Sequence, residues 1–331
     1  MTVSSEASRT KRKRILKEIA ETIRRGKEFL VASHENPEGD AIGSILALGE
    51  ALRQLGKKVT IFNADPVPEI LAFLPGTEEI VRRPPENGRF DAAFALDCGD
   101  RKRLGERFPG PERIGRLINV DHHGSNTYFG EINFVDPGAS SAAEMVFDLM
   151  RELSVKISLP IGKNVYTGIL TDTGSFHYTN TTPQAFAVAR ACLLAGVNPW
   201  EIAERVYESQ PIARLILLPL VLKTLKLEED GRVSSVVVTK RMLARAGAMP
   251  ALTEDFINFP RSVKGAEVAI LFREVGPRKY RVSFRSRGKI DVSRISRMFQ
   301  GGGHPNAAGC TVAGTLREVR AKVLKQVRAA F

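Results

Sequence analysis

The sequence predicts an α/β protein: a mainly parallel, doubly wound sheet domain followed by a smaller α+β domain. Three observations carry this. Short apolar runs alternate with helical patterns through the first 120 residues, helical patterns then follow one another from 141 to 207, and strand-like runs return from 234 onward. Strands that alternate with helices pair in parallel, because each crossover lays a helix against the sheet and covers its faces.

Ile15, Ile19 and Ile23 recur every four residues, which marks an apolar stripe on a helix over 11–25. Residues 29–32 read as the first strand, 41–55 as a helix that Gly56 stops, and 59–62, 90–96 and 117–120 as further strands. Helices follow over 141–153, 161–170, 183–195 and 199–207, with Thr182 and Pro183 supplying a hydroxyl cap and a first-turn proline. Residues 211–226 read as a linker helix, and the run from Glu228 to Gly231 as a turn. Strands are expected at 234–239, 268–272 and 280–284, and helices at 292–299 and 316–329. The expected division is a first domain over 1–210, the linker over 211–226 and a second domain over 227–331.

With 43% hydrophobic and 26% charged residues the chain has the balance of a soluble globular protein. Its longest apolar run, 215–222, is broken by Pro219 and is far short of the roughly 18 residues a spanning helix needs, so no membrane partner is expected. The basic, polar start lacks the apolar core of a secretory signal. Cys98, Cys192 and Cys310 stand at unrelated spacings, which excludes a disulfide framework and suits reduced thiols in a cytoplasm. A formal charge of +12 calls for an anionic partner. The first basic cluster, Lys11 to Arg14, reads as a solvated helix start; Arg281, Arg285, Arg287 and Lys289 cluster instead near a glycine run.

Four acid-rich turns each follow an apolar run. They hold His34, Glu38 and Asp40; Asp97; Asp121, His122 and His123; and Asp172. In a parallel sheet such turns lie at the carboxyl ends of strands, where ligands bind. A carboxylate pair beside an imidazole suits Mn²⁺, Fe²⁺ or Zn²⁺ better than an all-oxygen site does. Six ligand-type side chains, His34, Glu38, Asp40, Asp97, His122 and Asp172, fit two ions about 3.5 to 4 Å apart with one carboxylate bridging. His123, next to a ligand but aimed differently, is placed to donate to a phosphate oxygen. Taken singly, each Asp reads more readily as a turn residue or helix cap, and their sum is what points to a cluster.

The run Gly301, Gly302, Gly303 and His304, followed by Ala307, Ala308 and Gly309, leaves backbone amides open to an anion and allows close packing. In the strand before it, Arg281, Ser283, Arg285 and Arg287 share one face, with Val282 and Phe284 on the other. That basic face reads as a phosphate or carboxylate grip.

Together these motifs resemble those of the DHH phosphoesterase superfamily, and the resemblance covers nearly the whole chain. His34 to Ser44 resembles its first motif, Asp97 its second, Asp121-His122-His123 its naming motif and Thr171 to Gly174 its fourth; the glycine-histidine run resembles that of its associated C-terminal subdomain. Within it, the NrnA-type branch is most similar. The resemblance implies a Mn²⁺-dependent hydrolase that degrades short RNA oligonucleotides to mononucleotides and removes the 3′ phosphate of 3′-phosphoadenosine 5′-phosphate (pAp). It implies one Mn²⁺ on His34, Glu38 and Asp97 and another on Asp40, Asp97, His122 and Asp172. Asp121 and His123 complete the catalytic set with Asp97. Arg285, Ser286, Gly301, Gly302, Gly303 and His304 would hold the substrate in a cleft between the domains, and a homodimer is allowed. Glu38 stands where the family has Asp, and His177 where relatives carry a basic residue, so His177 reads either as a substrate contact or as a helix cap. Dinucleotide phosphodiesterase, RecJ-like exonuclease, manganese pyrophosphatase and non-catalytic nucleic-acid scaffold are the alternatives.

Overall fold

The alternating runs of the first half form six parallel strands. The computed structural model describes residues 3–331. Helix α1 (Val3–Arg25) leads into β1 (Glu28–Ser33), α2 (Gly39–Gln54) and β2 (Lys58–Phe62), followed by the short β3 (Ile80–Val81), then β4 (Phe90–Leu96), β5 (Ile114–Asp121) and β6 (Ile132–Val135). The sheet order is β3-β2-β1-β4-β5-β6. Helices α3 (Ala142–Glu152), α4 (Leu159–Asp172), α5 (Pro183–Leu194) and α6 (Pro199–Ala203) complete this unit, and a π-helical turn, 204–208, takes the place of the last turns of the helix expected over 199–207.

The two faces of this sheet are covered unequally. One packs Phe29, Val31 and Phe94 against the helices, whereas Leu30, Ala32, Phe62 and Ala93 meet loop residues such as Leu104 and Phe108. Helix α2 crosses α4 at close range: a Cβ on Gly43 would lie 2.4 Å from the backbone oxygen of Asn164. The basic cluster Lys11–Arg14 lies midway along α1 rather than at its start, and it is not wholly solvated. Arg12 is half-buried, pairs with Asp136 and Asp148 and lies 5.0 Å from the Phe134 ring, pinning the helix.

The chain divides after Ser209. The second unit holds α7 (Ile212–Leu222), β7 (Lys226–Glu228), β8 (Val233–Val238), α8 (Lys240–Ala246), α9 (Asn258–Ser262), β9 (Val268–Gly276), β10 (Lys279–Ser286), α10 (Val292–Arg297), β11 (Gly302–His304), β12 (Ala307–Ala313) and α11 (Leu316–Arg328). Its sheet order is β11-β12-β10-β9-β8-β7, antiparallel except for β8 with β9. Helices α10 and α11 bury one face, with Val282, Phe284 and Phe272 at its centre. The glycine run is not an open loop: Gly302, Gly303 and His304 pair with Gly309, Ala308 and Ala307 as a hairpin. Close packing is what its glycines provide, since a Cβ on Gly301 would lie 2.3 Å from Gly309 O.

Candidate metal centre

Three adjacent strands end side by side, and each delivers a polar group at its carboxyl end. His34 follows β1, Asp97 follows β4, and Asp121 closes β5 just before His122 and His123. Glu38 is the N-cap of α2, Asp40 sits in its first turn, and Asp172 is the last residue of α4. Gly39 and Gly168 permit the approach: a Cβ on Gly39 would lie 2.4 Å from Thr171 Oγ1, and one on Gly168 2.8 Å from Asp40 Oδ1.

Nε2 of His34 lies 3.4 Å from Asp97 Oδ2 and 3.7 Å from Glu38 Oε1. Nε2 of His122 lies 3.5 Å from Asp97 Oδ1, 3.7 Å from Asp172 Oδ2 and 3.8 Å from Asp40 Oδ2. His34, Glu38 and Asp97 form one triad with ligand atoms within 4.8 Å of one another; Asp40, His122 and Asp172 form a second, and Asp97, His122 and His123 a third. The structure thus brings together all six residues that the sequence offers as ligands.

Whether a cation fits is decided at Asp97. The residue is 2% exposed, and its Oδ1 accepts no hydrogen bond although imidazole nitrogens surround it. A buried carboxylate oxygen without a donor is costly. A divalent ion satisfies it. Asp97 also holds φ at 51°, a strained conformation for a residue with a side chain, of the kind that concentrates at functional sites.

Neighbouring groups orient these side chains. His34 Nδ1 lies 2.7 Å from Glu35 O, an arrangement that leaves Nε2 for a cation, while Arg103 Nη2 stands 3.0 Å from the same ring nitrogen. Asp40 Oδ2 accepts from Ala142 N at 2.6 Å, and its Oδ1 accepts from Ala143 N at 2.9 Å and Ser44 Oγ at 3.1 Å. Glu38 accepts from Asp40 N and Ala41 N at 2.8 and 2.9 Å, so it caps α2 while its Oε1 also faces His34. Asn180 Nδ2 donates to Asp172 Oδ2 at 3.0 Å. The fully buried Asp121 receives Asn126 Nδ2 at 2.6 Å on one oxygen and faces His123 Nδ1 at 2.7 Å with the other.

The electrostatics are those of a crowded anionic pocket. Burial works against the charged form of His34, yet the facing carboxylates of Asp97 and Glu38 outweigh it and raise the ring to about 10. Burial likewise opposes charge on His122, but Asp97, Asp172 and Asp40 carry it to about 11. Burial raises Asp172 to about 7, with Glu38 and Asp97 adding to the rise against the pull of His122. Burial, then Asp97 and Asp172, lifts Asp40 well above the carboxylate range. Burial would raise Asp97 too, but the histidines around it hold it well below that range. Without a metal ion the pocket therefore retains protons that a cation must displace.

Other sequence candidates lie elsewhere. His177 is exposed, with Nδ1 against the Gly174 carbonyl, as a cap would be, and outside the three triads. Cys98, beside Asp97 in the same turn, is buried with its Sγ directed to Asp100 O and belongs to none of the triads. In the second unit, His304, Ala307 and Arg285 are register neighbours across three strands. Ser286 is buried and accepts from Gly288 N, and Arg287 leaves the basic face to donate to Arg261 O. Sequence reasoning missed Asn126, Asn180 and the α3 amides; the one available signal was Asn126, a polar residue soon after the histidine pair.

Residues 28–170 match the DHH family, N-terminal domain, and residues 234–331 the DHHA1 domain. The chain is 38% identical over 303 residues to the bifunctional oligoribonuclease and PAP phosphatase NrnA of Thermus thermophilus, covering 90% of this chain and 88% of that protein. It is 27% identical over 301 residues to the protein of the same name in Bacillus subtilis, covering 89% and 92%. The solved exopolyphosphatase-related protein from Bacteroides fragilis superposes with a TM-score of 0.90 at 28% identity over 96% of both chains.

Proposed function

This chain belongs to the DHH family of phosphoesterases, and from that premise we propose that it hydrolyses short oligoribonucleotides to mononucleotides and removes the 3′ phosphate of pAp. The observation that carries the reading is the donorless, buried Asp97 Oδ1 at the centre of the histidine and carboxylate cluster. His34, Glu38 and Asp97 would hold one divalent ion and Asp40, Asp97, His122 and Asp172 a second, with Mn²⁺ favoured by the mixed nitrogen and oxygen donors. When bound, such a pair acidifies a water molecule and neutralises charge on the phosphate under attack. Asp121 fixes the His123 ring through Nδ1, and the oriented ring would donate to a phosphate or leaving-group oxygen. Arg285 and His304 would take the terminal phosphate, arginine offering paired donors. No described helix is long and apolar enough to cross a membrane, and the three buried free cysteines suit a reducing cytoplasm.

The test is direct. Purified protein with Mn²⁺ is expected to release mononucleotides from labelled RNA of two to five residues and phosphate from pAp. If Asp121→Ala and His122→Ala leave both rates unchanged, the assignment is wrong. Metal content measured by mass spectrometry separates it from a non-catalytic scaffold, which would retain none.

A further inference from the structure

The face of the second sheet that bears Arg285 continues beyond it. On β10, Lys279, Arg281, Ser283 and Arg285 lie on one side, while Tyr280, Val282 and Phe284 are buried on the other. Neighbouring strands set Thr311 and Arg273 opposite Arg281, Gly309 and Leu271 opposite Ser283, and Ala307 and Ala269 opposite Arg285. Helices α7 and α8 close this side over β8 and β9. Over β10 and β12 it stays accessible: Arg281 and Thr311 are exposed, and Ser283 and Gly309 half-buried. Two cationic rows therefore flank a floor of small residues, with Arg285 and His304 in the near row and Arg281 and Arg273 in the far one.

The far row is anomalous as pure structure. Like charges directly opposite on antiparallel strands destabilise the pair. Yet Arg273 is held there, its Nη1 donating to Pro250 O at 2.9 Å and Thr253 Oγ1 at 3.1 Å. Glu254 offsets part of the Arg273 charge, but among the described residues no carboxylate pairs with Arg281. An anion between the two guanidinium groups removes the repulsion and meets one arginine already fixed in place.

We propose that Arg281 and Arg273, with Thr311, form a distal phosphate subsite for the backbone of an oligoribonucleotide whose terminal phosphate is held at Arg285 and His304. This rests on the oligoribonuclease reading above. The rows lie four residue steps apart along β10, about 13 Å at ~3.3 Å per residue. A nucleoside bisphosphate is too short to touch both, whereas an RNA of several residues reaches both. The subsite therefore sets preference by length.

The experiment compares wild type, Arg281→Ala and Arg281→Glu with Arg317→Glu, a charge-matched control at an exposed position of α11. The ratio of KM for an RNA pentamer to KM for pAp is expected to rise about tenfold in Arg281→Glu and not in the control. Anisotropy of a labelled pentamer in EDTA reads the same grip without hydrolysis: the affinity is expected to fall about tenfold, and its dependence on salt to become shallower by about one ion. Equal effects of Arg281→Glu and Arg317→Glu, or equal losses on pentamer and pAp, overturn the subsite. If wild type cleaves no RNA with Mn²⁺, the oligoribonuclease reading fails, and the EDTA titration still decides whether Arg281 holds the strand.

Discussion

Replacing Asp97 by Asn keeps the size of the side chain and removes one negative charge from the middle of the cluster. The two carboxylate oxygens lie 3.5 Å from His122 Nε2 and 3.4 Å from His34 Nε2. A unit charge at that distance is worth about 5 kcal/mol at an effective dielectric of ~20. A cation seated among the same atoms loses a comparable attraction, which corresponds to an affinity lower by about 10³-fold or more. Turnover of an RNA dimer at fixed Mn²⁺ is expected to fall by a similar factor. Thermal melting gives a readout free of catalysis. With Mn²⁺ at ~100 times its dissociation constant the wild type gains about 2.7 kcal/mol, or roughly 5–10 °C for a unit of this size. Asp97→Asn is expected to gain nothing at the same concentration. A variant that keeps its metal through dialysis, melts with the wild-type shift and turns over normally would refute the argument that Asp97 organises the site.

The pH dependence of the metal-free protein follows from the same charges. His34 and His122, raised to about 10 and 11, contribute stability that is complete below about pH 6.5 and is lost as pH rises through those values. Asp172, raised to about 7, loses its favoured protonated form in the same direction. Melting in EDTA should therefore weaken from pH 6 to 9 while the gain on adding Mn²⁺ grows; a pH-independent gain counts against this. Glu38→Gln retains an acceptor for the α2 amides, so it should melt in EDTA within about 1 kcal/mol of wild type yet bind Mn²⁺ more weakly. Undiminished Mn²⁺ affinity would make Glu38 a cap alone. Gly43→Ala pushes a methyl group against the Asn164 backbone and should cost about 1–3 kcal/mol in chemical denaturation, whereas a neutral result would mean that α2 and α4 separate freely.

The parallel sheet and the clustering of acids and histidines at its strand ends were legible because both depend on local pattern. A buried parallel strand must be apolar throughout, and the polar residue that ends it stands out: Asp97 and His122 could be read this way. Elements that a partner sets, rather than a run of their own, could not. β3 has two residues and β6 alternates weakly, so neither has a run long enough to register. β11 is made of glycines and one histidine and exists because β12 pairs with it. The same limit hid the α3 amides that hold Asp40, 102 residues away in sequence. Arg287 illustrates the reverse error: the two-residue period assigned it to the basic face, but the strand ends at Ser286 and the side chain turns to a loop carbonyl.

Sheet order explains why the cluster forms where it does. From β1 the chain runs outward to β2 and β3, then returns to the other side of β1 for β4, β5 and β6. The connections leaving β1 and β4 therefore diverge, and such a switch point opens a crevice at the strand ends. His34, Asp97 and His122 follow the three adjacent strands β1, β4 and β5 that border it. Crevices of this kind commonly bind anions, because helix N-termini point amides and positive dipole ends into them. Here two such ends are already occupied by the site's own carboxylates. Glu38 takes the first amides of α2, and Asp40 takes those of Ala142 and Ala143 at the start of α3. Each helix end anchors a carboxylate through one set of lone pairs and leaves others facing the crevice. The dipoles that elsewhere attract phosphate thus hold negative charge in place, and the crevice presents carboxylates that could hold cations.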